Sequence, residues 1–162
     1  MNRTITIAPV KKSITVEAPQ ARAFDVFTNQ MTRWWPPTHT ILKVTPRAHI
    51  IEPKVGGRWY SIGIDDSECD TGKVLVWEPP SRVVLAWQLG AEWQFDPNLV
   101  TEVEVRFVAE SPTRTRVQLE HRNLERMGEK AEAVATAIGS PGGWSAILEV
   151  FASAAKDTGA AR

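Results

Sequence analysis

The sequence predicts an α+β fold in which an antiparallel sheet of about six to seven strands curves around a long C-terminal helix. Residues 140–157 have the spacing of an amphipathic helix, and residues 48–122 alternate between short apolar runs and turn residues. Two short helices are predicted between the first strand and this run. A run of antiparallel strands with all helices on one side is typical of α+β proteins.

The C-terminal segment is predicted to be an amphipathic helix that needs an apolar surface from the rest of the chain. Ser140 is the predicted N-cap and Pro141 the first helical residue. The apolar residues recur at helical spacing and form one stripe: Trp144, Ile147, Leu148, Phe151, Ala152 and Ala155. Because so short a helix is marginal alone in water, this stripe must pack on an apolar surface.

The N-terminal part is predicted to be a strand followed by helix. Residues 4–16 alternate around a break at Pro9, which is typical of a bent edge strand. Pro19 opens a helical stretch that ends before Pro36 and Pro37. Residues 38–44 have no clear period and are predicted to be a loop.

Six further strands are predicted from alternation and from turn residues. They cover residues 48–52, 58–64, 68–77, 83–89, 99–109 and 114–122. In the last two strands Val103, Val105, Val117 and Leu119 alternate with charged residues, which predicts one covered face and one solvated face. Residues 124–138 show helical spacing again and form either a lid over a cavity or a static helix on the sheet.

Length and composition limit the classes of function. The 162 residues suit one domain spanning residues 1–162, with residues 158–162 expected to fray. Basic and acidic residues both total 19, so the positive field typical of nucleic-acid binding is missing. No apolar run is long enough for a membrane span or a signal peptide, and Cys69 stands alone, so we expect a cytoplasmic protein. We expect no cofactor and no metal, since His39, His49 and His121 lack metal-ligand spacing.

Five short motifs in this order resemble the activator of heat shock protein ATPase homologue family, within the START and birch-pollen-allergen-like (SRPBCC) superfamily. They are APQARAFDVFT at 18–28, RWW at 33–35, VGGRW at 55–59, GKVLVWEPPSRVVLAW at 72–87 and GWSAIL at 143–148. The resemblance covers roughly residues 13–155. It implies a helix-grip fold with a cavity between sheet and C-terminal helix.

The ligand-binding residues that we predict would lie around such a cavity. Seven tryptophans are many for a chain of 162 residues. Four of them either line the cavity wall or fill the core: Trp35, Trp59, Trp87 and Trp144. Phe27 and Leu148 are further candidates on the helical stripes. Trp77 and Trp93 are not expected to line the wall, because they lie near a turn and in a polar loop.

Polar candidates for the same cavity come from two strands. His121 shares strand phase with Val117 and Leu119, so it either binds a ligand, acts as an acid or base, or is a buried histidine satisfied by protein partners. Arg58 and Tyr60 share the other phase of their strand and either supply a charge and a hydroxyl to the cavity or lie on the outer face.

Three functions are compatible with these residues. The first is a non-enzymatic binding protein for a small hydrophobic or aromatic ligand, for which the family resemblance implies a link to stress. The second is a cyclase- or hydrolase-like enzyme using the same cavity, with His121 as the catalytic group; no familiar nucleophile, metal or nucleotide motif is found. The third is a chaperone-associated interaction module, although the chain is too short for an additional N-terminal domain, so a heat-shock ATPase partner is not expected. A homodimer through an edge strand remains open.

Overall fold

The computed structural model describes residues 7–156, in which seven strands form one antiparallel sheet. Their bounds are β1 Val10–Val16, β2 Pro46–Ile51, β3 Arg58–Gly63, β4 Glu68–Glu78, β5 Arg82–Trp87, β6 Thr101–Ser111 and β7 Arg114–Arg122. The order across the sheet is β1-β7-β6-β5-β4-β3-β2, so the first strand is an edge strand as predicted. Of the predicted strand over residues 4–16, residues 4–6 lie outside the described part, and so does the predicted tail at 158–162.

The helices lie against one face of this sheet. They are α1 Gln20–Asn29, α2 Ala131–Gly139 and α3 Ala146–Lys156. A 3₁₀ turn at Met31–Arg33 follows α1, and a 3₁₀ segment at Leu124–Lys130 precedes α2. The α+β helix-grip architecture predicted from the sequence is therefore confirmed.

The C-terminal helix begins later than the sequence predicts. A π-helical turn occupies Pro141–Ser145, and Ser140 makes no side-chain capping bond. Gly143 has non-helical dihedrals (φ −90°, ψ −127°) and kinks the chain before α3. A Cβ atom at Gly143 would lie 2.2 Å from the carbonyl oxygen of Ile138, so only glycine fits where the kink meets the end of α2. Trp144 lies within this turn and is buried.

An aromatic cluster joins the two longer helices to the sheet. The ring of Phe27 on α1 lies 5.2 Å from that of Phe151 on α3 and 5.8 Å from that of Phe107 on β6, all in edge-to-face contact. All three side chains are at most 1% exposed. Burying each contributes about 1.5–3 kcal/mol to the packing of α1 and α3 on the sheet.

Two irregularities bend the sheet around the helices. The pairing of β3 with β4 shifts between Trp59 and Tyr60, and that of β4 with β5 shifts between Val74 and Val76. Bulges of this kind increase the local bend and twist of a sheet. Gly72 lies between them, where a Cβ atom would come within 1.6 Å of the carbonyl oxygen of Ala86. The curved side of the sheet is thus formed by β3, β4 and β5.

The outer face of the sheet is charged. Glu104 on β6, whose side chain is only 7% exposed, bonds to Arg82 at 2.6 Å and to Arg122 at 2.6 Å, and pairs with Arg106 at 2.7 Å. These pairs bridge β5, β6 and β7, in agreement with the solvated face predicted from alternation.

Two negative findings concern residues 7–156 only. No helix there is long and apolar enough to cross a membrane. No group of three or more histidine, cysteine or acidic side chains there is arranged to hold a metal ion.

Candidate ligand-binding site

A cavity of about 350 Å³ lies between the bent part of the sheet and the start of the C-terminal helix. Its floor comes from β2 to β5, and its roof comes from the loop after α1, the end of α2 and the π-helical turn. Its volume is at the lower end of the range typical of small-molecule sites. The lining residues are Trp35, Thr38, His39, Thr40, Ile41, His49, Trp59, Ser61, Thr71, Trp87, Leu89, Trp93, Ala137, Ile138, Gly142, Gly143, Trp144 and Ile147.

Four tryptophans form a closed ring of contacts in the cavity wall. Trp35 contacts Trp59 and Trp144 at ring-centroid distances of 6.1 Å each, and Trp87 contacts Trp59 and Trp144 at 5.7 Å each. All four contacts are edge-to-face, with interplanar angles of 64–88°. Edge-to-face pairs hold each other in place, so the ring is a rigid aromatic surface. These are the four tryptophans that the sequence indicated as wall residues.

The indole N–H groups of this ring differ in their partners. Trp35 donates to the backbone oxygen of His39 at 2.7 Å, and Trp144 donates to Nδ1 of His121 at 3.2 Å. Within the described chain, the Nε1–H groups of Trp59 and Trp87 have no protein acceptor, although both side chains are at most 6% exposed. Neither nitrogen is a fully enclosed unpaired atom, so both keep some accessible surface. Two donors are thus left unused in the wall of the cavity.

His49 and Ser61 form a polar pair on the floor. Nδ1 of His49 lies 2.9 Å from Oγ of Ser61. The backbone N–H of His49 donates to Oγ1 of Thr32 at 3.0 Å, and the Thr32 hydroxyl donates to the backbone oxygen of His49 at 3.1 Å. These two bonds fix His49 on β2. Burial lowers the pKa of His49 to about 4, so the imidazole is neutral at pH 7. His49 also borders a shallow outer groove beside Arg33 and Arg47.

Of the three roles that the sequence left open for His121, the structure matches the third, a buried histidine whose hydrogen-bond partners are protein groups. It is 0% exposed and lies behind Trp87 and Trp144, with ring centroids 5.3 Å and 6.0 Å away. The Thr101 hydroxyl donates to the backbone oxygen of Trp87, so Nε2–H of His121 donates to Oγ1 of Thr101 at 2.8 Å while Nδ1 accepts from Trp144. Burial lowers the pKa of His121 to about 3. Its role in this conformation is to hold Trp144, and it does not reach the cavity.

Four other predicted site residues lie away from the cavity. Phe27 and Leu148, each 1% exposed, are in the core beneath α3. Arg58 and Tyr60 lie on the outer face, where the guanidinium sits 3.8 Å above the Tyr60 ring and pairs with Asp70 at 2.8 Å. The reason is strand alternation, because Trp59 and Ser61 face inward and their neighbours must face outward.

Sequence reasoning missed the polar floor and one wall residue. His49 shares the inward phase of β2 with buried Ile51, and Ser61 shares that of β3 with Trp59, so alternation carried the signal for both. Trp93, expected to lie away from the wall, borders the cavity from a loop in a left-handed conformation (φ 59°) and is 46% exposed. Because a loop has neither helical nor strand periodicity, the sequence pattern does not indicate which way Trp93 faces.

A curved antiparallel sheet closing on a C-terminal helix, with an aromatic cavity between them, defines a helix-grip protein. The chain belongs to the Activator of Hsp90 ATPase homolog 1-like protein family, whose model matches residues 17–156. This confirms the family indicated by the sequence motifs. None of the functionally curated proteins compared with the chain matches it.

Several solved structures are similar. An anthrahydroquino-γ-pyrone synthase, Txn09, solved as a complex with SUM, is 38% identical over 91% of this chain and 97% of its own, with a TM-score of 0.64. The self-sacrificing resistance protein CalC from Micromonospora echinospora is 33% identical over 96% of this chain and 98% of its own, with a TM-score of 0.71. Protein MLL2253 from Mesorhizobium loti, 18% identical over 91% of this chain and 98% of its own with a TM-score of 0.61, is similar in fold alone.

Proposed function

We propose that the protein binds a flat aromatic molecule in the cavity between the sheet and the C-terminal helix. The observation that carries this proposal is the ring of four mutually contacting tryptophans in the wall of a cavity of about 350 Å³. Rigid aromatic walls favour flat apolar ligands, because such ligands bury large apolar surfaces without bending the protein. The similarity to a synthase named for a fused anthrahydroquinone and pyrone supports the same class of ligand.

The charge of the lining also supports a neutral ligand. Among residues 7–156, those that line the cavity include no aspartate, glutamate, lysine or arginine. An ionised ligand would lose its hydration there without gaining an opposite charge, which costs several kcal/mol. Neutral aromatic compounds are therefore the expected class.

A thermal-shift series tests the proposal. Anthracene, anthraquinone and a linear alkane of similar size are added to the intact chain, and the melting temperature is followed. The aromatic compounds should stabilise the fold, by about 2.7 kcal/mol when the ligand is present at a hundred times its dissociation constant, and the alkane should not. Equal shifts for all three, or none for any, would contradict an aromatic site.

A substitution that fills the cavity from its floor tests the same proposal, with a substitution on the outer face as its control. Thr71→Phe adds a ring on β4 inside the cavity, so it should weaken aromatic binding at least about tenfold while the free protein stays folded. Tyr60→Phe changes the outer face of the adjacent strand and should leave binding unchanged. Tryptophan fluorescence quenching by anthracene measures both.

A second candidate function is an enzyme that closes a ring on the same aromatic ligand, for which the 38% identity to a synthase is the supporting observation. In this conformation His121 cannot touch such a substrate, because Trp87 and Trp144 cover it. Mass spectrometry of ligands recovered after incubation separates the two functions: an unchanged ligand supports binding alone, and a new product supports catalysis.

A further inference from the structure

We propose that the ligand carries carbonyl oxygens of the quinone or pyrone type, and that Trp59, Trp87 and the His49–Ser61 pair bind these oxygens. The inference rests on the proposed function and deepens it by naming the polar groups of the ligand. It starts from hydrogen-bonding groups that the protein leaves unused in the cavity wall.

The first unused groups are the indole N–H donors of Trp59 and Trp87. A buried indole N–H usually has an acceptor, as those of Trp35 and Trp144 do. Those of Trp59 and Trp87 have none within residues 7–156, and their rings are in contact at 5.7 Å. Because both nitrogens keep some accessible surface, each donor is available to an acceptor atom of a ligand in the cavity.

The second unused group is the polar pair on the floor. Nδ1 of His49 and Oγ of Ser61 bond to each other, and Nε2 of His49 has no partner among the described residues. If Nδ1 carries the proton, it donates to Oγ of Ser61, the Ser61 hydroxyl is free to donate, and Nε2 is a free acceptor. If Nε2 carries the proton, the Ser61 hydroxyl donates to Nδ1 and Nε2–H is free to donate. In either tautomer the pair presents one free donor.

The unused groups therefore have one chemical character in common. Two indoles and one histidine–serine pair offer neutral donors, and a neutral oxygen acceptor satisfies each of them. A carbonyl conjugated to an aromatic ring is such an acceptor, is coplanar with the ring, and so fits between flat walls. Carboxylates and sulfonates are also acceptors, but the lining offers no lysine or arginine to offset their loss of hydration.

The ratio of two dissociation constants tests this inference. Anthracene and anthraquinone have the same three-ring outline, and only the second has carbonyls. In the intact chain anthraquinone should bind at least about tenfold more tightly, since each neutral hydrogen bond is worth a factor of about five. Anthraquinone-2-sulfonate should bind at least about tenfold more weakly than anthraquinone.

Variants then assign the preference to the named donors. Trp59→Phe and Trp87→Phe each remove one donor and keep a smaller side chain, so each should lower the preference for anthraquinone about fivefold. Because both ligands are compared within one variant, a general loss of stability cancels from the ratio. Tyr60→Phe, on the outer face, should leave the ratio as it is in the unmodified chain.

The outcomes separate this inference from the proposed function. Failure of all three compounds to bind would overturn both. Equal binding of anthracene and anthraquinone, with the ratio unchanged in both tryptophan variants, would overturn the carbonyl inference and leave the aromatic cavity standing.

Discussion

Replacing Trp144 with alanine is expected to lower the free energy of unfolding by roughly 3–5 kcal/mol and to abolish aromatic binding. The side chain is 2% exposed and contacts both Trp35 and Trp87, so its loss opens a large void in the ring. It also removes the hydrogen bond to Nδ1 of His121, leaving that atom unpaired in the interior. Urea unfolding measures the first effect and fluorescence quenching by anthracene the second.

Trp93→Ala is the matched control for this substitution. It removes the same side chain from the mouth of the cavity, where the residue is 46% exposed and makes no ring contact with the other tryptophans described. The expected loss of stability is below about 1 kcal/mol. If both variants lost the same stability, Trp144 would not be the residue that joins the terminal helix to the sheet.

The second large effect is a loss of stability on mild acidification. Burial lowers the pKa of His49 to about 4 and that of His121 to about 3, below the value of about 6.5 for an unfolded histidine. Between these values the unfolded chain binds more protons than the folded one, so stability rises with pH. The contribution of the two histidines to the free energy of unfolding should be fully present above pH 6.5. It should decrease as the pH drops toward 4, by up to about 1.4 kcal/mol per pH unit for each histidine.

His121→Gln tests the share of this effect that comes from the more deeply buried of the two histidines. A glutamine amide accepts and donates hydrogen bonds as the imidazole does, but it does not titrate in this range. Urea unfolding at pH 7 and pH 5 should show about half the pH dependence of the unmodified chain. An unchanged difference between the two pH values would mean that His121 is not the neutral, buried group described above.

The architecture could be predicted from the sequence because strand alternation and helical spacing both indicate which side chains are buried. Alternation in residues 99–122 distinguished the core from the charged face, and the stripe from Trp144 to Ala155 indicated the helix that packs on it. The start of that helix was not readable. Pro141 at a first helical position is a common signal of a helix start. The kink instead comes from the close approach of Gly143 to the backbone of Ile138 at the end of α2, and helical spacing carries no sign of that approach.

The site was predictable only in its aromatic part. Tryptophans are large, and the high number of them indicated that some line a cavity wall. The polar donors were harder to predict, because His49 and Ser61 resemble ordinary strand residues and become a pair only through the register of β2 with β3. His121 was conspicuous for the opposite reason, since its strand phase places it inside, where Thr101 and Trp144 satisfy it.

A crystal structure of the protein grown with anthraquinone tests the central claim most directly. We expect density for a flat three-ring molecule against Trp87 and Trp144, with an oxygen within hydrogen-bonding distance of the donors on the cavity floor and wall. A cavity closed by side chains, or density only on the outer face of the sheet, would contradict the existence of an aromatic site beneath the terminal helix.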